Sequence, residues 1–259
     1  MIKDVLKKNI SLKYRIKLRG LFYRFRWIFY IGNQFHCICC GKSSRKFLPF
    51  GNVLRKNAAC PYCNSLERTR LLNYYLINET DIFAGNKSIL HFAPEGMLAK
   101  KLKISSKNYI SADIKKDMAD VVQDIQSLTF DDNSFDYIIC SCVLGHVPDE
   151  IAAINEIYRV LKSGGQAFIT TVLNLGTYKT IEDYRIQTPE ERLKYYGEND
   201  LLRFHGEDFF DRLNIANAIV EKIDYSAHFT KQENVKFSLG NKERELIFCF
   251  KKPPLIDNA

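Results

Sequence analysis

The sequence predicts a doubly wound α/β domain preceded by a basic helix and a small cysteine knuckle. Three observations carry this reading. Residues 130–169, FDDNSFDYIICSCVLGHVPDEIAAINEIYRVLKSGGQAFI, read as strand, helix, glycine stop and strand. Two CxxC pairs, Cys37/Cys40 and Cys60/Cys63, stand 19 residues apart. The length, 259 residues, suits one full α/β domain with a small appendage.

The chain begins with a basic arm. Of its 38 basic and 30 acidic residues, nine basic and one acidic fall in residues 1–30, which leaves 29 of each elsewhere. The net charge of +8 therefore belongs to the arm, and the rest is neutral by composition. Residues 13–32, KYRIKLRGLFYRFRWIFYIG, interleave basic and aromatic side chains at roughly helical spacing, so a basic amphipathic helix is expected over 1–34. Such a helix can dock on its own domain. It can also lie on an anionic membrane surface through Phe22, Trp27 and Phe29, or stack RNA bases. The apolar run 21–31 is too short to span a bilayer and contains Arg24 and Arg26. With no secretory pattern and several free-looking thiols, the expected location is cytoplasmic, peripheral membrane contact remaining open.

Residues 35–80 form the knuckle and a linking helix. Each CxxC pair presents two thiolates from one tight turn, and two facing turns complete a tetrahedral site of Cys37, Cys40, Cys60 and Cys63. Soft thiolates at this spacing favour zinc over iron. Four ligands leave no open position, so the metal is structural, with Cys39 a spectator. The alternative is plain buried thiols or a disulfide. Residues 65–76, SLERTRLLNYYL, then read as a helix with Ser65 as its N-cap.

Residues 81–259 supply the α/β domain. SILHFA (88–93) is a short apolar strand, followed by the turn APEGM and a helix carrying Leu98 and Leu102. Residues 109–113 form a second strand ending in Asp113, and 135–142 another. A helix follows with Ile151, Ile154, Ile157, Tyr158 and Leu161 at helical spacing; Gly164 and Gly165 end it, and 166–171 starts the next strand. Cys140, Cys142 and Cys249 lie in apolar strand patterns, as small buried hydrophobes do. The long polar and aromatic stretch 177–210 is the expected substrate loop. Residues 209–215 give a closing helix, and 219–223 with 245–250 a final antiparallel strand pair.

Residues 130–169 also resemble the fourth strand, fourth helix and fifth strand of class I S-adenosylmethionine (SAM) methyltransferases of type 11. CPYCNSLERTRLL (60–72) and LHFAPE (90–95) resemble a bacterial subset carrying an N-terminal zinc knuckle, so the resemblance covers roughly residues 35–252. It implies a Rossmann-like seven-stranded sheet, SAM as methyl donor and a structural zinc. It assigns His91, Ala93, Glu95 and Gly96 to the cofactor loop, which lacks the family's usual glycines. Glu95 either meets the ammonium of SAM or serves as a helix N-terminal acid. Asp113 accepts the ribose hydroxyls, Asp124 accepts the adenine amino group or is a turn residue, and Ile125 packs on the ring. Cys140 offers backbone at the sheet's carboxyl edge.

On the substrate side, His146 matches a family histidine that orders the loop or acts as a base. Leu201 and His205 depart from the family's histidine and tyrosine, which makes His205 a second candidate base. Arg203 and Asp208 contact substrate or form an ion pair holding the loop. The expected activity is methyl transfer to a small molecule or a glycan, including a lipid-linked surface polysaccharide. An RNA methyltransferase that uses arm and knuckle is one alternative. A SAM-binding scaffold without turnover, suggested by the glycine-poor loop, is the other.

Overall fold

The computed structural model describes residues 25–214 and 217–254. At its centre is a sheet of β1 (Ser88–Phe92), β2 (Asn108–Asp113), β3 (Val121–Val122), β4 (Phe135–Ser141), β5 (Leu161–Thr170), β6 (Ile219–Ile223) and β7 (Ile247–Lys251). The strand order is β6-β7-β5-β4-β1-β2-β3. Strands β3, β2, β1, β4 and β5 run parallel, and β7 is antiparallel to both β5 and β6. The doubly wound, seven-stranded sheet expected from sequence is therefore present.

Its strands are apolar on both faces because helices cover both. Leu90, Ile138, Ala167 and Phe248 join one core cluster; their chain neighbours Ile89, Ile139, Phe168 and Ile247 join the other. This is the period-two alternation of an extended chain. On the second face lie α1 (Glu67–Glu79), through Leu71, Leu72 and Leu76, and α2 (Gly96–Ser105), through Leu98 and Leu102. On the first lies α3 (Glu150–Val160), through Ala153, Ile154, Ile157 and Val160. Each such leucine or isoleucine contributes about 1.5–3 kcal/mol of burial. Cys140 and Cys249 are fully buried here, as small apolar side chains.

Two helix details differ from the sequence reading. Ile151 is 64% exposed, outside the apolar stripe of α3. The helix also stops at Val160, and Leu161 already pairs with Phe135. Gly164, at φ +78°, and Gly165 instead form an irregularity inside β5, before pairing resumes at Gln166. A Cβ on Gly165 would stand 2.8 Å from the Lys162 carbonyl oxygen and 3.1 Å from that of Asp136. Gly165 serves close strand approach and Gly164 supplies a left-handed turn, and neither caps the helix.

The knuckle consists of two short antiparallel pairs, Phe35–His36 with Ser43–Ser44 and Leu48–Phe50 with Arg55–Ala59. Arg70, fully buried on α1, fixes this unit to the sheet domain. It donates to the carbonyls of Ala58, Ser65, Phe237 and Ser238, and its guanidinium lies 4.8 Å from the centre of the Phe47 ring. Ser65 is not the helix cap; Leu66 takes that position, and the Ser65 hydroxyl faces Cys37 and Cys63 instead.

Of the helix expected over 1–34, residues 1–24 lie outside the described residues. Arg26–Tyr30 is a single 3₁₀ turn, with Trp27 stacked 5.8 Å from Tyr62. The described end of the arm thus rests on the second cysteine turn. Among the described residues, no helix is long and apolar enough to cross a membrane.

The segment after β5 folds back over the sheet's carboxyl edge. It contains α4 (Pro189–Tyr196), which starts with a Thr188/Glu191 capping box and ends at Gly197, whose φ is +80°. Isolated bridges join Leu173 to His205 and Ile181 to Phe204. The expected closing helix is short, Phe209–Arg212, and residues 215–216 lie outside the described residues.

Candidate active site

The topological switch lies at β1, which pairs with β2 on one side and β4 on the other. In a doubly wound sheet the crevice opens at the carboxyl ends of such strands. A cavity of about 400 Å³ lies there, lined by Phe92 and Ala93 at the end of β1, Asp113 at the end of β2, the 123–126 turn, and Cys142, Val143, His146, Val147 and Pro148 after β4. One oxygen of Asp113 accepts from the Lys115 amide at 2.8 Å, which fixes the carboxylate at the strand end. Asp124 accepts from the amide and side chain of Gln126, at 2.9 and 3.0 Å, while Ile125, beside it, is 4% exposed. Two carboxylates beside an apolar wall of Phe92, Ile125 and Val147 suit a ring bearing polar edges.

The loop after β1 reaches its turn without a glycine. Ala93 takes φ +45°, in the left-handed region that glycine normally supplies, and its amide donates to the Ala112 carbonyl at 2.9 Å. Cys142 likewise has φ +55°, and its amide donates to the Thr170 carbonyl at 2.8 Å. Two left-handed turns thus lie side by side at the ends of the paired strands β1 and β4.

A second cavity of about 260 Å³ adjoins the first, and Ala93, Cys142, His146 and Asp200 line both. Its remaining wall combines Phe50 and Arg55 from the knuckle, Arg68 from α1, Glu198 from the segment after β5, and Arg244. Glu95 lies here, not in the first cavity; it pairs with Arg68 at 2.9 Å and accepts from the Ser141 hydroxyl at 3.3 Å. The His146 Nδ1 lies 3.1 Å from the Asp200 carbonyl oxygen.

The expected residues divide accordingly. Ala93, Asp113, Asp124, Ile125 and His146 meet at the first cavity, and Glu95 at the second. Gly96 opens α2 and lines neither. His91 is fully buried, with Nδ1 3.1 Å from the Tyr109 hydroxyl, and burial pushes its pKa down to about 3. It belongs to the core beneath the sheet. Cys140 is also removed from the cleft, since it is paired with Phe92 and Ile169 inside the sheet and its thiol is buried. The lip position falls to Ser141 and Cys142.

His205 is corrected from candidate base to structural residue. It is 1% exposed, with Nδ1 2.7 Å from the Thr171 hydroxyl and Nε2 2.7 Å from Glu150, which also accepts from Arg212 at 2.6 Å. Burial lowers its pKa, and it lines neither of the two cavities. Arg203 and Asp208 are corrected in the same way, and they do not pair with each other. Asp208 accepts from the amide and hydroxyl of Thr180, at 2.9 and 2.6 Å. Arg203, 2% exposed, donates to the carbonyls of Leu144, Val147 and Pro148 and to Glu182. It holds the lip of the first cavity against the folded-back segment. Arg203→Ala should therefore cost about 3–5 kcal/mol of stability, as loss of one partner from a buried charged network does. Arg203→Lys, which keeps the charge and loses the fork, should recover only part of it. Urea unfolding checks this; unaltered stability in the alanine variant would mean the network is not formed.

The knuckle brings Cys37, Cys40, Cys60 and Cys63 together with all four sulfurs within 4.8 Å of one another. The Cys37–Cys63 and Cys40–Cys60 sulfurs are 3.7 and 3.8 Å apart. Zinc–sulfur bonds of about 2.3 Å in a tetrahedron require edges of about 3.8 Å, so the donor set and its spacing fit that ion. Hydrogen bonding among the four thiols pushes Cys37 and Cys63 down and Cys40 and Cys60 up. Cys39, though buried, stands outside this group.

Residues 89–169 match a family model described as a methyltransferase domain. Among curated proteins, the demethylmenaquinone methyltransferase of Staphylococcus epidermidis is 52% identical over 42 residues, which is 16% of this chain and 17% of that protein. The arsenite methyltransferase of Aquipseudomonas alcaligenes is 39% identical over 51 residues, 20% of this chain and 15% of that one. The chain thus matches less than a fifth of either relative's length. Among solved structures, the Burkholderia thailandensis 1,6-didemethyltoxoflavin-N1-methyltransferase, with S-adenosylhomocysteine bound, aligns at 13% identity and TM-score 0.44. That alignment covers 66% of this chain and 72% of the other. The matched residues run from β1 to β5, the strands whose carboxyl ends border the cleft, and that stretch is similar to a methyltransferase domain.

Proposed function

We propose that the chain transfers a methyl group from SAM to a small-molecule acceptor, with a structural zinc in the knuckle. The observation that carries this is the 400 Å³ cleft at the switch point, with Asp113 and Asp124 at successive strand ends and Ile125 between them and the wall. Asp113 is placed to accept the ribose hydroxyls, Asp124 to accept the adenine amino group, and Ile125 and Val147 to sandwich the ring. Bound SAM supplies an electrophilic methyl on its sulfonium. The residues shared by the two cavities, Ala93, Cys142, His146 and Asp200, then surround the point where donor and acceptor meet. Holding the two in line there supplies much of the rate, and His146 is the one histidine positioned to take a proton from the acceptor. Cys37, Cys40, Cys60 and Cys63 would hold the zinc, which ties the knuckle to the acceptor side.

The names of the relatives, whose acceptors are a quinone and arsenite, support a small acceptor over a polymer. The left-handed turn at Ala93 counts against a scaffold without turnover, because the loop keeps its shape without glycine. Isothermal titration of SAM and of S-adenosylhomocysteine tests the reading. One site per chain with affinity in the range of about 1–100 μM is expected. No heat of binding from either ligand at millimolar concentration would overturn it.

A further inference from the structure

The second cavity brings three arginines together beside the carboxylates of Glu95, Glu198 and Asp200, an arrangement that the methyl donor does not account for. Arg55, Arg68 and Arg244 come from three separate segments, yet all line it, with side chains only 13–16% exposed. Each has a carboxylate partner, but the pairings leave donors idle. Arg55 bonds Glu67 through Nε at 2.5 Å, while its Nη2 is buried without an acceptor. Arg68 pairs with Glu95 through Nη2, and its Nε is buried without an acceptor. Arg244 comes only to 3.8 Å from Glu198, beyond hydrogen-bonding distance.

Two of the three carboxylates of the wall are by contrast occupied, while Asp200 is largely exposed with an oxygen 3.5 Å from His146 Nδ1. Glu95 uses one oxygen on Arg68 and the other on Ser141. Glu198 accepts from the Asn52 amide at 2.6 Å. Burial lowers the Arg244 pKa, and the neighbouring charges of Arg55 and Arg68 lower it further, while nearby acids including Glu95 and Glu67 hold Arg68 up, so Arg244 is the least compensated of the three. Burying like charges and idle donors together is unfavourable unless an anion joins them.

We propose that this second cavity binds an oxyanion of the methyl acceptor, a phosphate or a carboxylate, through Arg55, Arg68 and Arg244; this rests on reading the adjoining cleft as the SAM site. Guanidinium forks match both anions bidentately. An acceptor held there by its charged end presents its other end at the junction beside His146 and Cys142. The charged wall also disfavours a long apolar acceptor such as a quinone. Because Arg55 and Phe50 belong to the knuckle, the metal module becomes part of substrate recognition.

The test is calorimetric titration of inorganic phosphate, and in parallel of acetate, into protein saturated with S-adenosylhomocysteine, at constant ionic strength set by chloride. Saturable binding at one site is expected, and the tighter of the two anions identifies the acceptor's group. Arg244→Gln should weaken it about tenfold, the scale of one charged hydrogen bond. S-adenosylhomocysteine affinity should move less than about twofold, a change too small to represent a lost charged hydrogen bond. Arg55→Gln should act likewise, with Arg244→Gln as the safer variant because it leaves no buried acid as firmly bonded as Glu67 unpaired. Equal anion affinity in wild type and Arg244→Gln, or no saturable anion binding, would overturn the proposal. So would a parallel loss of S-adenosylhomocysteine affinity, since the arginines would then hold the donor's own carboxylate. Failure of wild type to bind S-adenosylhomocysteine would instead defeat the cofactor reading, and the phosphate titration without it would still decide the arginines.

Discussion

Cys60→Ser should strip the metal from the knuckle and unfold it, while the sheet and its cleft survive. Freshly purified, reduced protein is expected to carry about one zinc per chain, as a closed four-thiolate site requires. Residues 35–63 have little core of their own. Only Cys37, Cys39, Phe47 and Cys60 form its buried apolar cluster, so half of what is buried there would itself be metal ligand. Structural zinc in small modules contributes about 10–16 kcal/mol of binding free energy, at least as much as the roughly 6–12 kcal/mol that four buried apolar side chains supply. Removing one ligand should therefore release the two short strand pairs. Arg70 would lose its Ala58 acceptor and its contact with Phe47, but keep Phe237 and Ser238. The expected result is a protein with no zinc by elemental analysis, rapid proteolysis within residues 35–63, and SAM affinity close to wild type. A metal-free wild-type protein of full stability, or a Cys60→Ser variant that keeps its zinc, would sink this account of the knuckle.

The parts legible in the sequence are those where one local pattern determines one structure. The runs SILHF and FDYIICS are apolar on both faces, and only a covered parallel strand tolerates that, so β1 and β4 were fixed by composition alone. Asp113 was legible because a strand's end is visible in sequence and the crevice lies at strand ends, whereas Asp124 was reached only through the family resemblance. The two CxxC turns were legible because their spacing has few other uses. What failed depends on burial and on distant partners. Arg203, His205 and Asp208 sit in a polar insertion, where a side chain reaching a ligand and one stapling the loop look alike. Their partners, Leu144, Glu150 and Thr180, are what tell them apart. His91 occupies an alternating position of β1 whose neighbours Leu90 and Phe92 join one core cluster while Ile89 joins the other. The sequence reading assigned it to the cofactor loop because the resemblance aligns it with the residue that opens the family's loop. The arginine wall was not legible at all, since no local pattern links residues 55, 68 and 244. Arg68 stood inside the quoted SLERTR phrase, where helical position on α1 was the one available signal.

Asp113→Ala should abolish measurable SAM binding or weaken it roughly 100-fold, and leave the fold intact. The carboxylate is only partly buried and its one recorded bond is to the Lys115 amide of its own turn, so little packing is lost with it. What is lost is an ionised acceptor facing two adjacent hydroxyls. Hydrogen bonds to a charged group contribute about 1.5–3 kcal/mol each, and two at the lower figure give about 3 kcal/mol, roughly two powers of ten in affinity. Asp113→Asn separates charge from shape: the amide still offers one acceptor, so its affinity should fall between alanine and wild type. Asp124→Ala should cost less, because the carboxylate already accepts from Gln126 and faces one amino group. Calorimetry gives the affinities, and thermal melting checks that each variant remains folded. If Asp113→Ala binds SAM as tightly as wild type, the donor does not lie along the ends of β1 and β2. The two cavities would then have to exchange roles, with the arginine wall holding the donor's carboxylate and the larger cleft receiving the acceptor.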